Sequence, residues 1–403
     1  MRLAALLALS LTAAVPASAQ QHQPVSSADR LAHEQMLVLD THLDTPVNFE
    51  WPGWDFTDWH DYAWDRSQVD VPRMQAGGLD GGFFVIYTGQ KGLDPAAMAK
   101  ARDDALMRAV AIQRVVAANP DKLAFATTAE DAERLHKEGK RIVFQSIENS
   151  YPLGNDVSLL QFYHRMGVRM AGPVHSKNNQ FADSTTDTPR WNGLSPLGKQ
   201  WVAEMNRLGM IIDGSHSSDA VFDQMLALSK APIILSHSGP KAIFEHRRNI
   251  DDARMRRLAK AGGVMFVNSV FLLQHDGSDE RDAIVERQEN WATLTPAERR
   301  KLVADKAALD SQRPYTTADF ELFMKSMLHS IRVMGADHVG IGADWDGGGG
   351  VIGMEDVAGL PQITARLRKE GIKDADIAKI MGGNLLRVMR AVQKQGQAPA
   401  TQR

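Results

Sequence analysis

Short apolar, β-branched runs alternate with amphipathic stretches along most of the chain, and this alternation limits the possible folds more than any other feature. The runs are Met36–Leu39, Gly82–Tyr87, Arg141–Ile147, Arg169–Val174, Met210–Ile212, Pro232–Leu235, Gly263–Asn268 and His338–Ile341. They are too short and too continuously apolar for half-exposed antiparallel strands, and they suit parallel strands buried on both faces. Helical patterns lie between them. The clearest is Thr317–Met334, where Phe320, Phe323, Met324, Met327, Leu328 and Ile331 recur at spacings of three and four. Thr316 or Thr317 can cap its start and Gly335 can end it. Pro196–Leu208 stops at Gly209, Met255–Ala261 stops at Gly262, and Asp374–Gln393 makes a last helix. Eight strand–helix alternations predict an α/β fold, a (β/α)8 barrel of TIM type. Length beyond the ~250 residues of a minimal barrel is then carried by loops. Asn48–Gln68, rich in Trp, Asp and Pro, and the charged stretch His275–Tyr315, with a helix or two, are the expected insertions. A doubly wound open sheet is the alternative, and it would gather functional residues at one switch point instead of around a ring.

The N-terminus reads differently. Met1-Arg2 leads into the apolar run Leu3–Val15, followed by Pro16 and Ala17-Ser18-Ala19. A basic start, a short apolar stretch and an A-x-A site predict a secretory signal peptide over residues 1–19, cleaved after Ala19. The run is shorter than the ~20 apolar residues that span a bilayer, which argues against an anchor. A single barrel domain over 20–395 and a polar tail over 396–403 complete the expected organisation. The expectation is an exported protein without a membrane anchor, periplasmic in a Gram-negative host or secreted. The 46 Lys and Arg nearly cancel 49 Asp and Glu, so no basic excess points to nucleic acid. The glycine run 347–350 lacks the strand-to-helix setting and Lys of a phosphate loop.

In a barrel of this type the chemistry sits at the C-terminal ends of the strands. The first strand runs into Asp40-Thr41-His42-Leu43-Asp44, the third into Glu148, the fourth into His175 and the fifth into Asp213-Gly214-Ser215-His216. The sixth runs into Ser236-His237-Ser238 and the eighth into Asp344 and Asp346, while the second ends in Tyr87-Thr88 with no evident ligand. Cysteine is absent, so any metal must be held by His and carboxylates. His42 and Asp44, two apart in an extended segment, face the same side and can grip one cation. His216 and His237 terminate consecutive strands and can grip a second. Glu148 lies between the two sets, and its two oxygens can bridge them. Such ligands suit Zn, Mn, Co, Ni or Fe better than Ca or Mg. Ser215, Ser236 and Ser238 read as hydrogen-bonding neighbours of the histidines.

These same segments resemble the membrane dipeptidases (renal dipeptidase, peptidase family M19) of the amidohydrolase superfamily. The resemblance runs from about Leu37 to Val392. It is carried by Asp40–Asp44, Ile212–His216, Ile234–Ser238, Arg247-Arg248-Asn249-Ile250-Asp251-Asp252 and His338–Gly347, with support from Arg165–Arg169, Gly193–Pro196 and Asn384–Val388. It implies two zinc ions per subunit, one held by His42, Asp44 and Glu148, the other by Glu148, His216 and His237. It further implies that His175 binds the scissile carbonyl, Arg248 the substrate carboxylate, and that Asp344 handles protons beside the metal-activated water. The implied reaction is hydrolysis of dipeptides with a free C-terminal carboxylate, on an L- or D-residue, by a homodimer. Departures occur at Ser146–Ser150, where relatives more often carry a Glu-Gly pair, and at Ser176–Asn179. They leave the metal set intact and bear on the substrate side chain.

The residues alone leave some choices open. Asp346 competes with Asp344 for the proton-handling role. Another hydrolase of the same superfamily, acting on a lactone, a β-lactam or an N-acyl amino acid, could use the same ligands. A periplasmic metal- or peptide-binding protein would not need His175, Asp344 and Arg248 together.

Overall fold

The computed structural model describes residues 24–397. The expected signal peptide and all but the first two residues of the expected tail lie outside that range. Among the described residues there are nine strands: β1 (Leu39–Leu43), β2 (Gly81–Ile86), β3 (Leu123–Phe125), β4 (Arg141–Ile147), β5 (Val168–Ala171), β6 (Ile211–Ile212), β7 (Ile234–Ser238), β8 (Val264–Val267) and β9 (Val339–Ile341). All pair in parallel, along β1-β2-β4-β5-β6 and β7-β8-β9. Single bridges join the two arcs, Asp213 with Ile234 and Leu43 with Trp345. The Gly214 N–H donates to Ile234 O at 2.8 Å, and the Asp44 N–H to Trp345 O at 2.9 Å. The result is the closed (β/α)8 barrel.

Eight of the nine strands are the predicted runs. β3 is the addition. It pairs with the first half of β4 on the edge that β5 occupies further along, so it stands outside the ring. Two predicted strands sit too early. Met36–Leu39 is replaced by Leu39–Leu43, and Pro232–Leu235 by Ile234–Ser238. His42 and His237 therefore lie on strands, not in the loops after them. Polar residues mislead here because every residue of both strands is buried, whatever its polarity.

Alternation along the strands divides the core. Phe83, Phe144, Met170, Ile211, Ile234, Val264 and Phe266 cluster with Leu385, Val388, Met389 and Val392 of the last helix. Phe84, Ile86 and Val143 belong instead to the larger cluster formed with the surrounding helices. Each such side chain contributes about 1.5–3 kcal/mol by leaving water. Gly342 lets three strands meet inside the barrel, because a Cβ there would lie 1.8 Å from Ser236 O. Thr41 Oγ1 crosses the same space to donate to Ser236 O at 2.6 Å.

The helix signals hold in part. Pro196–Leu208 is capped by Ser195 and ends at Gly209 with φ 67°. The Thr317–Met334 pattern becomes a helix over Phe320–Met334, and its cap is Asp319, not a threonine. The carboxylate accepts the Leu322 N–H, and a charged acceptor outcompetes a hydroxyl at a helix start. Asp374–Gln393 divides into Asp374–Ala378, a π-helical turn Lys379–Gly383, and Asn384–Gly396. Gly382 sits in that turn, where a Cβ would lie 2.5 Å from Leu37 O. The two insertions meet. The Trp51 and Trp291 rings pack at a tilt of 41° with centroids 5.3 Å apart, and Arg66 lies 3.9 Å from Asp310. Among the described residues no helix is long and apolar enough to cross a membrane.

Candidate metal centre

His42 enters the barrel from β1, held by its backbone. Its N–H donates to Asp40 Oδ1 at 2.8 Å, and Asp40 Oδ2 accepts the Ala343 N–H at 3.0 Å. Asp40 thus ties β1 to β9. Burial pushes its carboxyl up to about 7, against those two N–H donors. Asp44 Oδ2 lies 3.3 Å from His42 Nε2, the same-side placement expected of residues two apart.

Glu148, just past β4, is the centre of the cluster. Its Oε1 lies 3.0 Å from His216 Nε2, 3.5 Å from His42 Nε2, and 3.6 Å from both His175 Nε2 and His237 Nε2. Asp344 Oδ1 lies 3.9 Å from His42 Nε2. Three overlapping groups bring their ligand atoms within 4.8 Å of one another: His42, Glu148 and His237; Glu148, His175 and His216; His42, Asp44 and Asp344. All eight predicted site residues except Arg248 therefore fall in one cluster. Proximity does not separate it into the two sets the resemblance implies, since His237 Nε2 lies 2.8 Å from His216 Nε2 and also groups with His42 and Glu148.

The donor atoms suit a cation. Both ring nitrogens of His42, Asp44 Oδ1 and His216 Nδ1 are buried without a hydrogen-bond partner. Orphaned buried polar atoms each cost ~1–3 kcal/mol unless something occupies them. Burial lowers His216 and His237 well below the ordinary imidazole value, aided by Arg248 at His216 and by His42 at His237. Both are therefore neutral, the form that binds metal. Burial would also lower His42, but Asp44 and Glu148 raise it well above the ordinary value, taking up the role of cation seat. Burial would raise Glu148, yet His175 and His42 hold it well below the carboxylate range. The residues present fit a metal site built from nitrogen and oxygen ligands.

The turns that carry the cluster are strained. His216 and Asp344 adopt φ of 67° and 68°, the left-handed region that non-glycine residues avoid. Such strain persists where surrounding structure imposes it, often at functional sites. Asp346, also left-handed, is engaged elsewhere. Its carboxylate accepts the Thr45 hydroxyl at 2.6 Å and the Gln68 N–H at 2.7 Å. It anchors the first insertion, while Asp344 faces the cluster with a carboxyl that burial raises to about 7.

His175 lies at the rim, with Tyr87 edge-on at 5.2 Å and the His216 ring at 4.2 Å. Strand two thus contributes a wall. Arg248 is buried beside the histidines. Its Nη2 donates to His237 O at 3.3 Å, its guanidinium lies 5.1 Å from the Phe271 centroid, and its Nε has no partner. Burial lowers it to about 10, so it keeps its charge at neutral pH.

Two carboxylates were not singled out from the sequence. Asp40 orients His42, as above, and Asp213 accepts the N–H groups of Ser215 at 3.0 Å and Ser236 at 2.9 Å. Their only sequence signal is an Asp two residues before His42 and three before His216.

Histidines and carboxylates ringed at the C-terminal mouth of a parallel barrel, with a buried guanidinium beside them, define a metal-dependent hydrolase. The model of the family described as membrane dipeptidase (peptidase family M19) matches residues 26–403. The dipeptidase tcpJ of Claviceps purpurea is 31% identical over 333 residues, 81% of this chain and 70% of its own length. The dipeptidase aclJ of Aspergillus oryzae is 30% identical over 344 residues, 84% of this chain and 72% of its own. The crystal structure of the probable dipeptidase PvdM from Pseudomonas aeruginosa superposes with a TM-score of 0.78 at 32% identity, covering 91% of this chain and 98% of that one. The chain belongs to the membrane dipeptidase family, peptidase family M19. It is a metal-dependent dipeptidase.

Proposed function

We propose that this chain is an exported, binuclear zinc dipeptidase that cleaves dipeptides bearing a free C-terminal carboxylate, on an L- or D-residue, and acts as a homodimer. The observation that carries the reading is a single carboxylate oxygen, Glu148 Oε1, within 3.0–3.6 Å of four imidazole Nε2 atoms. His42, Asp44 and Glu148 would hold one metal, and Glu148, His216 and His237 would hold the other. The bound metals would supply hydroxide at neutral pH and Lewis acidity at the carbonyl, worth several kcal/mol to the transition state. The chain supplies the rest. Arg248 pairs with the substrate carboxylate through a planar fork, fixing the register of the peptide. His175, whose pKa burial lowers, offers an N–H to the oxygen that becomes an oxyanion. Asp344 takes the proton released by the attacking water and passes it to the leaving amine, so that OH ends on the carbonyl carbon and H on the nitrogen. Export rests on the signal pattern of residues 1–19.

Metal analysis of the purified protein, with turnover of an L,L and L,D dipeptide panel before and after chelation, tests the reading. Two metals per chain, and hydrolysis lost on chelation and restored by zinc, are expected. A metal-loaded protein that leaves every dipeptide intact overturns it and redirects the search to lactones and N-acyl amino acids.

A further inference from the structure

Asp213 and Ser236 take no direct part in the ligand set, yet they are among the most closely bonded polar groups in the barrel. Asp213 is 3% exposed and Ser236 is 0% exposed. Ser236 Oγ lies 2.5 Å from Asp213 Oδ2, 2.8 Å from His237 Nδ1 and 3.4 Å from Ser215 Oγ. A hydroxyl has one proton to give. The Asp213 oxygen is the nearest acceptor, so the proton goes there. Ser236 Oγ then faces His237 Nδ1 with a lone pair, which requires Nδ1 to carry a hydrogen. The neutral ring consequently presents an unprotonated Nε2, the atom 3.6 Å from Glu148 Oε1 and 2.8 Å from His216 Nε2.

The other oxygen of Asp213 acts on the second histidine. Asp213 Oδ1 accepts the Ser215 N–H at 3.0 Å and so holds the turn that forces His216 to φ 67°. His216 Nδ1 has no side-chain partner of its own, so the backbone turn is what aims that ring. Ser215 Oγ in turn accepts the His237 N–H at 3.1 Å.

We infer that Asp213 is a positioning residue for both histidines of one metal set, and that the chain Asp213–Ser236–His237 selects the tautomer of His237 that can bind metal. The inference rests on His216 and His237 being ligands. Outer groups that orient a metal-binding histidine typically account for ~10–100-fold in metal affinity.

The test is a zinc-affinity cycle, by chelator competition, on the wild type, Ser236→Ala, Asp213→Asn and the double variant, with the melt of each zinc-free protein as a folding control. Ser236→Ala removes one oxygen and is expected to keep the zinc-free melt close to wild type while weakening zinc ~10–100-fold at the affected site. In the Asp213→Asn background the same change is expected to do little more, because the hydroxyl has lost the acceptor that orients it. Wild-type affinity in Ser236→Ala overturns the relay. So does a loss that simply adds to that of Asp213→Asn, which would mark Ser236 as packing only. A wild-type chain that binds no zinc overturns the metal reading itself, and the relay with it, and is told apart by the first column of the cycle.

Discussion

On the proposed reading, replacing Arg248 with methionine should separate binding of the substrate carboxylate from the rest of the reaction. In the free enzyme the guanidinium is 5% exposed, with one long bond to His237 O at 3.3 Å and an unpaired Nε. Burial lowers it to about 10, which leaves it cationic at pH 7. It is a charge already taken out of water and waiting for a counter-ion. Breaking a buried charge pair from one side costs roughly 2–5 kcal/mol. The rim position of the neighbouring His175 keeps the bound carboxylate partly wet, so the lower half of that range applies, roughly 2–3 kcal/mol. At 1.4 kcal/mol per decade this is a fall of ~30–150-fold in kcat/KM for Arg248→Met. Most of it is expected in KM, because the pair forms in ground state and transition state alike. The assay compares a dipeptide with its C-terminal amide in both proteins, alongside metal content. The wild type should strongly prefer the free acid, and in Arg248→Met that preference should collapse while metal content stays the same. Methionine fills a similar volume without a charge to solvate, so the melt should not fall. A variant that keeps the wild-type KM, or keeps the preference for the free acid, would refute the reasoning. Arg248→Lys should recover only part of the loss, since an ammonium cannot reproduce the planar fork.

Asp344→Asn should lower kcat by ~10²–10⁴ with metal retained, whereas Asp346→Asn should keep most turnover per folded molecule and lower the melt, because it loosens Thr45 and Gln68; equal losses of kcat would show that the two carboxylates are not separated in role. His33 donates from Nε2 to Gly77 O at 2.9 Å, so its Nδ1 accepts from Thr364 at 2.8 Å, and burial holds its pKa below the ordinary value. The folded state therefore resists protonating it. Its contribution is present above the unfolded pKa of ~6.5 and is lost as pH falls through that value toward the lower folded one, so denaturant midpoints should fall less steeply from pH 7 to 5 in His33→Asn than in wild type. Arg73, 0% exposed, bonds Asp70 at 2.6 Å and Ser67 O at 2.7 Å. Asp70→Ala should cost roughly 3 kcal/mol in urea unfolding by leaving that cation underpaired, with Asp356 at 3.3 Å offering partial compensation.

The strand-end residues could be read in advance because two constraints act locally. Residues two apart on a strand share a side, which joined His42 to Asp44. The ends of parallel strands converge on one mouth, which joined Glu148, His175, His216 and His237 across the sequence. Other features depended on partners remote in sequence. β3 contains only Leu123–Phe125, too few residues to carry a period, and it exists because the edge of β4 beside it is open there. Asp344 and Asp346 are chemically alike and two apart. What separates them is Thr45 and Gln68, about 300 positions away, which claim one carboxylate and leave the other facing the candidate metal ligands. The helix cap moved to Asp319 because an available carboxylate was a stronger acceptor than either threonine.

Sequence by itself determined the class of fold, the absence of thiol chemistry and the identity of the candidate ligands. Those follow from residue type and from periodicities of two and 3.6, which need no knowledge of distant neighbours. Tertiary structure decided the rest: the closing of two arcs into one barrel, the meeting of the two insertions, and the placing of one Glu148 oxygen among four imidazoles. It also placed Asp40 and Asp213, both buried, against the backbone segments that carry those rings. Strand register and the left-handed turns at His216 and Asp344 set these distances, and register is fixed only when strands remote in sequence pair.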